Sequence, residues 1–184
     1  MKTKQQIIGA VASIFVTGIL FQSCKKEPNP SEANELITSL KVIMVDSANT
    51  NNKFVFSFID LDGDKPNLPT QFDSIVLAPN STYYTTLQLL DESKNPVDSV
   101  SNEIVEKADD HLFVYKANPT SLIAVQITDK DSKNLPLGLL STWRTNSAGK
   151  GTTTVVLRHQ PGVKNGTEAP GDSDIEVVFP TIIK

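Results

Sequence analysis

The sequence is poor in the residues that carry most recognisable chemistry. It has one cysteine, two histidines and one tryptophan in 184 residues. A single cysteine excludes an intrachain disulfide and any zinc or iron–sulfur site built from several thiolates. Basic residues are also few, 17 against 21 acidic ones. The first 23 residues hold Lys2 and Lys4 and no acid, so without them 15 basic and 21 acidic side chains remain, a net charge of −6. Nucleic acid is therefore a poor partner, because that affinity rests on Lys and Arg neutralising phosphates. No Gly-x-Ser-x-Gly elbow is present, and no alternation of strand and helix suggests a doubly wound sheet. The expectation is a protein that is not an enzyme.

Long apolar runs are missing too. The longest, Ile7 to Phe21, covers 15 residues. That is short of the roughly 20 a spanning helix needs and fits the core of an export signal, with Lys2 and Lys4 ahead of it. Ser23 precedes the only cysteine, and Leu20-Phe21-Gln22-Ser23-Cys24 resembles a bacterial lipobox. That resemblance implies cleavage before Cys24 and lipidation of Cys24. Two or more acyl chains would anchor the product stably where one would not. Cys24 and the polar, proline-containing segment to Asn34 then form a flexible tether. The implied address is the outer membrane, by a lipid anchor, with the periplasmic face and the cell surface both open.

From residue 35 to 184 the chain reads as one all-β domain, an antiparallel β-sandwich of immunoglobulin-like or Greek-key type. Lys53 to Asp60 alternates strictly, placing Phe54, Phe56 and Phe58 on one face. Eight further segments, rich in Val, Ile, Thr, Phe and Tyr, suit a pleated half-buried surface: 36–45, 73–77, 82–90, 112–116, 122–128, 139–144, 153–159 and 175–179. Turn clusters separate them, at 62–64, 93–96, 131–134 and 148–151. About eight or nine strands are expected, with at most one or two helical turns near 98–110, where Val100, Ile104 and Ala108 recur four apart. Trp143 is expected in the core. Adjacent Tyr83 and Tyr84 should split, one inward and one outward. Ser93-Lys94-Asn95-Pro96 echoes Ser132-Lys133-Asn134-Leu135-Pro136, which convergent turn chemistry explains better than a repeat.

Two patterns could hold a cation. Asp60, Asp62 and Asp64 alternate as a calcium loop does, but the spacing departs from an EF-hand: glycine is fourth rather than sixth and the twelfth residue is Gln71. His111 opens one expected strand and His159 closes another. Two imidazoles with Asp109 or Asp110 could bind zinc or copper. A spacing of 48 residues carries no motif, so only the fold could bring them together.

The segments "ELITSLKV", "FSFIDLDGD", "TYYTTLQLLDES", "DDHLFVY", "TVVLRHQPG" and "GDSDIEVVFPTII", following a lipobox, resemble a family of small Bacteroidota lipoproteins often labelled "type 1 periplasmic binding fold superfamily". The resemblance covers nearly the whole chain after residue 35. The label implies a two-lobed α/β solute receptor, against which stands a strand pattern of only about 150 residues. The resemblance further implies a ligand- or receptor-binding accessory to a TonB-dependent outer-membrane receptor. The other reading is a structural or adhesive envelope module with no small ligand.

Overall fold

The computed structural model describes residues 36–62 and 68–184. The expected export segment, Cys24, the tether and Asp64 lie outside the described residues. Asn34–Lys184 forms one compact unit, an all-β sandwich whose described residues make ten strands and one short α-helix. Strands β1 (Ser39–Asp46), β2 (Lys53–Ile59), β3 (Gln71–Phe72), β5 (Thr82–Leu90), β7 (Ile123–Ile127) and β8 (Leu140–Thr145) form a six-stranded sheet in the order β3-β2-β1-β5-β8-β7. Strands β4 (Ile75–Leu77), β6 (His111–Asn118), β9 (Gly149–His159) and β10 (Asp172–Ile183) form a four-stranded sheet, β4-β10-β9-β6. No helix among the described residues is long and apolar enough to cross a membrane.

The alternation in the sequence sets the register. Leu40, Val42 and Met44 of β1 stand opposite Phe58, Phe56 and Phe54 of β2. On the other side Leu40 and Val42 meet Leu89 and Leu87 of β5. One apolar face results, and it packs on the inner face of the smaller sheet. Trp143 on β8 is fully buried, and it meets Tyr115 on β6 edge to face at 5.5 Å across the two layers. The Tyr115 hydroxyl donates to the Gly138 carbonyl, and burial pushes its ionisation far up. The Trp143 indole donates to Ser141 Oγ at 2.9 Å, so neither core polar group is left without a partner. Tyr83 is buried and Tyr84 is 56% exposed, as period two requires.

The helix α1 (Val100–Glu106) buries Val100 and Ile104. Ser101 Oγ accepts the Leu89 N–H at 2.7 Å, fastening α1 to β5. A 3-10 turn, Ala108–Asp110, follows. The echoed segments share turn chemistry: Asp91 Oδ1 accepts the Ser93 N–H and Asp131 Oδ1 accepts the Lys133 N–H. That is the local bond a short carboxylate makes two residues on.

Four expectations need correction. Ten strands form rather than eight or nine: the segment 73–77 gives β4, and β3 precedes it. One pairing, β4 with β10, is parallel. The expected turn at 148–151 is shorter, because Gly149, Lys150 and Gly151 belong to β9. A Cβ on Gly151 would stand 2.1 Å from the Asn118 carbonyl oxygen. That glycine serves a close backbone approach rather than a turn. The last strand also continues past Phe179 to Ile183, with exposed Pro180 inside it.

Candidate functional site

The four-stranded sheet places its inner residues in rows. Phe113 on β6 and Leu157 on β9 are directly paired, and Ile175 on β10 pairs with Leu157. One step along the strands, His111 pairs with His159. Both histidines thus take core-facing positions at the end of the sheet. Paired side chains on one face lie within contact distance. The two rings stack at 5.0 Å between centroids and 10° between planes.

The third strand supplies a carboxylate. Plain alternation on β10, with Ile175, Val177 and Phe179 inward, would turn Asp174 outward. The register shifts between Ser173 and Ile175, and this bulge re-aims the side chain. Asp174 Oδ2 stands 3.8 Å from His111 Nε2, and Asp174 Oδ1 stands 3.9 Å from His159 Nδ1. The far nitrogen of His111, Nδ1, lies 3.0 Å from the Lys107 carbonyl oxygen. A carbonyl only accepts, so Nδ1 carries a proton and Nε2 is the nitrogen that faces Asp174. Side-chain exposure is 7% for His111, 7% for Asp174 and 21% for His159. Access is therefore from the His159 side.

The loop from Gln160 to Gly171 closes this end. Gln160 Nε2 donates to the carbonyls of Thr167 at 2.9 Å and Pro170 at 2.8 Å, and the Gln160 N–H donates to the Asp110 carbonyl. Gly171 has φ +75°, and a Cβ there would stand 2.0 Å from the His159 carbonyl oxygen. Only glycine lets the loop return this close to His159. Lys164, buried, donates to the Ala108 carbonyl at 2.8 Å and pairs with Asp131 at 2.7 Å. Burial pushes the Asp131 carboxyl up, but Lys164 and the N–H groups of Leu135 and Lys133 outweigh it and hold the pKa below its ordinary 3.8.

Asp109 and Asp110, expected beside the histidines, are engaged elsewhere. Asp109 accepts the Ser132 N–H at 3.1 Å and the Ser132 hydroxyl at 2.7 Å, with Lys133 Nζ at 3.5 Å. The Ser132 hydroxyl in particular holds its carboxyl below the ordinary range. Asp110 accepts the Gly162 N–H at 3.4 Å. The 3-10 turn takes both off the strand alternation that carries His111. The role belongs instead to Asp174, which sequence reasoning missed, because a bulge leaves no local signature. Asp60 follows β2 directly and Asp62 lies in the turn after it; their expected partner Asp64 is outside the described residues.

Among the described residues no three His, Cys, Asp or Glu side chains already stand in ligating geometry. An ion shared by both rings would need one of them to turn, because lone pairs in two ring planes only 10° apart run side by side rather than converging. Two ligands on tetrahedral zinc, each bonded at about 2.0–2.1 Å, stand roughly 3.3 Å apart. The histidine-to-carboxylate distances are 3.8 and 3.9 Å. Compared with protein-family models, curated proteins and solved structures, the chain matches none.

Proposed function

We propose that this chain is a non-enzymatic, lipid-anchored binding module of the outer membrane that captures a divalent transition metal, zinc or copper, as an accessory to TonB-dependent uptake. The observation that carries the reading is the stacked His111–His159 pair over Asp174. Two imidazoles and one carboxylate are the ligand set of a borderline-soft divalent ion rather than of calcium, which takes oxygen. His111 fits the role closely, because a ligating imidazole usually donates its other N–H to a carbonyl or carboxylate, which orients the ring. The address rests on Cys24 and the resemblance to small Bacteroidota lipoproteins. A lipid anchor would keep captured cargo near a transporter at high effective concentration.

The test is thermal unfolding of the purified chain with zinc, copper or calcium. A ligand at about 100 times its dissociation constant adds roughly 2.7 kcal/mol. For a domain of this size that is about 5–10 °C. The expected result is a shift with zinc or copper, absent in Asp174→Asn and in His159→Ala. Flat curves for both metals would overturn the metal reading and favour an envelope module without a small ligand. A shift with calcium alone would move the site to Asp60, Asp62 and Asp64.

A further inference from the structure

The outward face of the six-stranded sheet differs from the rest of this acidic chain. By register, Ile43, Val45, Val55, Tyr84 and Leu140 all point off it. Val55 is 48%, Tyr84 56% and Leu140 46% exposed. The charged residues at its outward strand positions are Lys41, Lys53 and Arg144, and among the described residues no acid occupies such a position. Acids at its margin are engaged: Glu92 pairs with Lys41 at 2.9 Å, Asp73 accepts the Ser57 N–H at 2.8 Å, Asp46 accepts the Ala48 N–H at 2.8 Å and Asp129 accepts the Leu140 N–H at 3.0 Å. Lys53 and Arg144 lie at one end of the face, where Arg144 Nη1 also donates to Gln126 Oε1 at 3.4 Å. Lys53 pairs with Val45, Val45 with Tyr84, and Tyr84 with Thr142, next but one to Arg144. Three strand spacings across and two residues along separate the two cations, about 16 Å.

We propose that this face docks reversibly on a flat, apolar protein surface that carries carboxylates about 16 Å apart to meet Lys53 and Arg144. Exposed Tyr and Arg with few other charges make the composition of an interface centre. The size also fits. Strands about 4.8 Å apart and seven residues long give roughly 24 by 22 Å, on the order of 500 Å². That is below the ~800 Å² per partner of a standard interface and suits a transient one. A second copy docked symmetrically would set like charges against each other. An anionic bilayer is met by a larger cluster of basic residues than the three on this face. The inference is independent of the metal reading, since the histidines lie on the other sheet.

The experiment is photo-crosslinking of the full chain in cells of its native host. A benzophenone-bearing residue replaces Tyr84, Leu140 or, as a control on β10, Val178, which is 45% exposed. The expected result is one protein adduct shared by the Tyr84 and Leu140 positions and absent from Val178. Its crosslinked peptide should be acidic, and the double variant Lys53→Glu/Arg144→Glu should reduce the yield at least tenfold with circular dichroism unchanged. Any of four outcomes overturns the proposal: an adduct with a second copy of this chain, with lipid alone, or with residues 1–35 of the same chain, or yields at Tyr84 and Leu140 no different from Val178. A protein adduct indifferent to the charge reversal also overturns the stated chemistry.

Discussion

Two neighbouring rows on the same face of one sheet differ completely in chemistry. Phe113, Leu157 and Ile175 form a hydrocarbon row, and the next row is His111, His159 and Asp174. On β6 and β9 both rows are directly paired. The hydrocarbon row needs nothing but contact. The titratable row needs a carbonyl behind His111, a bulge under Asp174, a glycine over His159 and a loop held shut by Gln160 and Lys164. Burying polar groups costs free energy unless partners are supplied. Four separate devices hold three titratable groups at a sheet end where three apolar residues would need none of them.

The comparison can be broken from the apolar side first. Phe113→Ala should cost about 3–5 kcal/mol, through lost transfer energy and the space left behind. The drop in urea midpoint at unchanged slope measures it. Almost as large is the effect of unpairing the buried ion pair that closes the loop. Lys164→Met leaves Asp131 charged and buried, which should cost about 3–5 kcal/mol. Adding Asp131→Asn removes the charge and keeps an oxygen for the Lys133 and Leu135 N–H groups. The double variant should therefore recover at least half of the loss. Equal stability of single and double variants would mean that the pair contributes through packing alone.

The sharper experiment extends the hydrocarbon row by one. The double variant His111→Phe/Asp174→Leu should unfold within about 1 kcal/mol of the original, because well-packed apolar residues commonly match buried polar groups. It should also lose any shift with zinc. A loss as large as that of Phe113→Ala would instead make the end row structural.

The smallest expected effect is at acid pH. Asp131 is held below its ordinary 3.8 as described, and Asp91 is held below 3.8 chiefly by the Ser93 hydroxyl, against the opposing effect of burial. A carboxyl with a lowered folded pKa contributes stability that is fully present above the unfolded value and lost as pH falls through the folded one. Urea midpoints should thus begin to drop below about pH 4, and the drop should be smaller in Asp131→Asn.

Much of the sandwich could be read from local pattern. The alternation of Phe54, Phe56 and Phe58 identified β2 and its inner face, and Val100 and Ile104 marked the buried side of α1. The two-residue β3 and the parallel β4 were not legible, because neither is long enough to show a period. Gly149 to Gly151 misled because glycine in a turn and glycine at a close backbone approach look the same in a sequence. The histidines were legible as strand ends, and their convergence was not. Pairing of β6 with β9 joins residues 48 apart, and no local rule sets a register at that distance. Asp174 was the least legible, since its alternation points the other way.

By itself, then, the sequence determined composition, sign of charge, the all-β class and which face of most strands is apolar, because these follow from side-chain type and a period of two. The tertiary structure alone decided that His111 stacks on His159, that Asp174 rather than Asp109 or Asp110 joins them, and that one sheet carries no acid at its described outward strand positions. Strand order and register bring together residues far apart in the chain, and a single bulge reverses the side to which a carboxylate points.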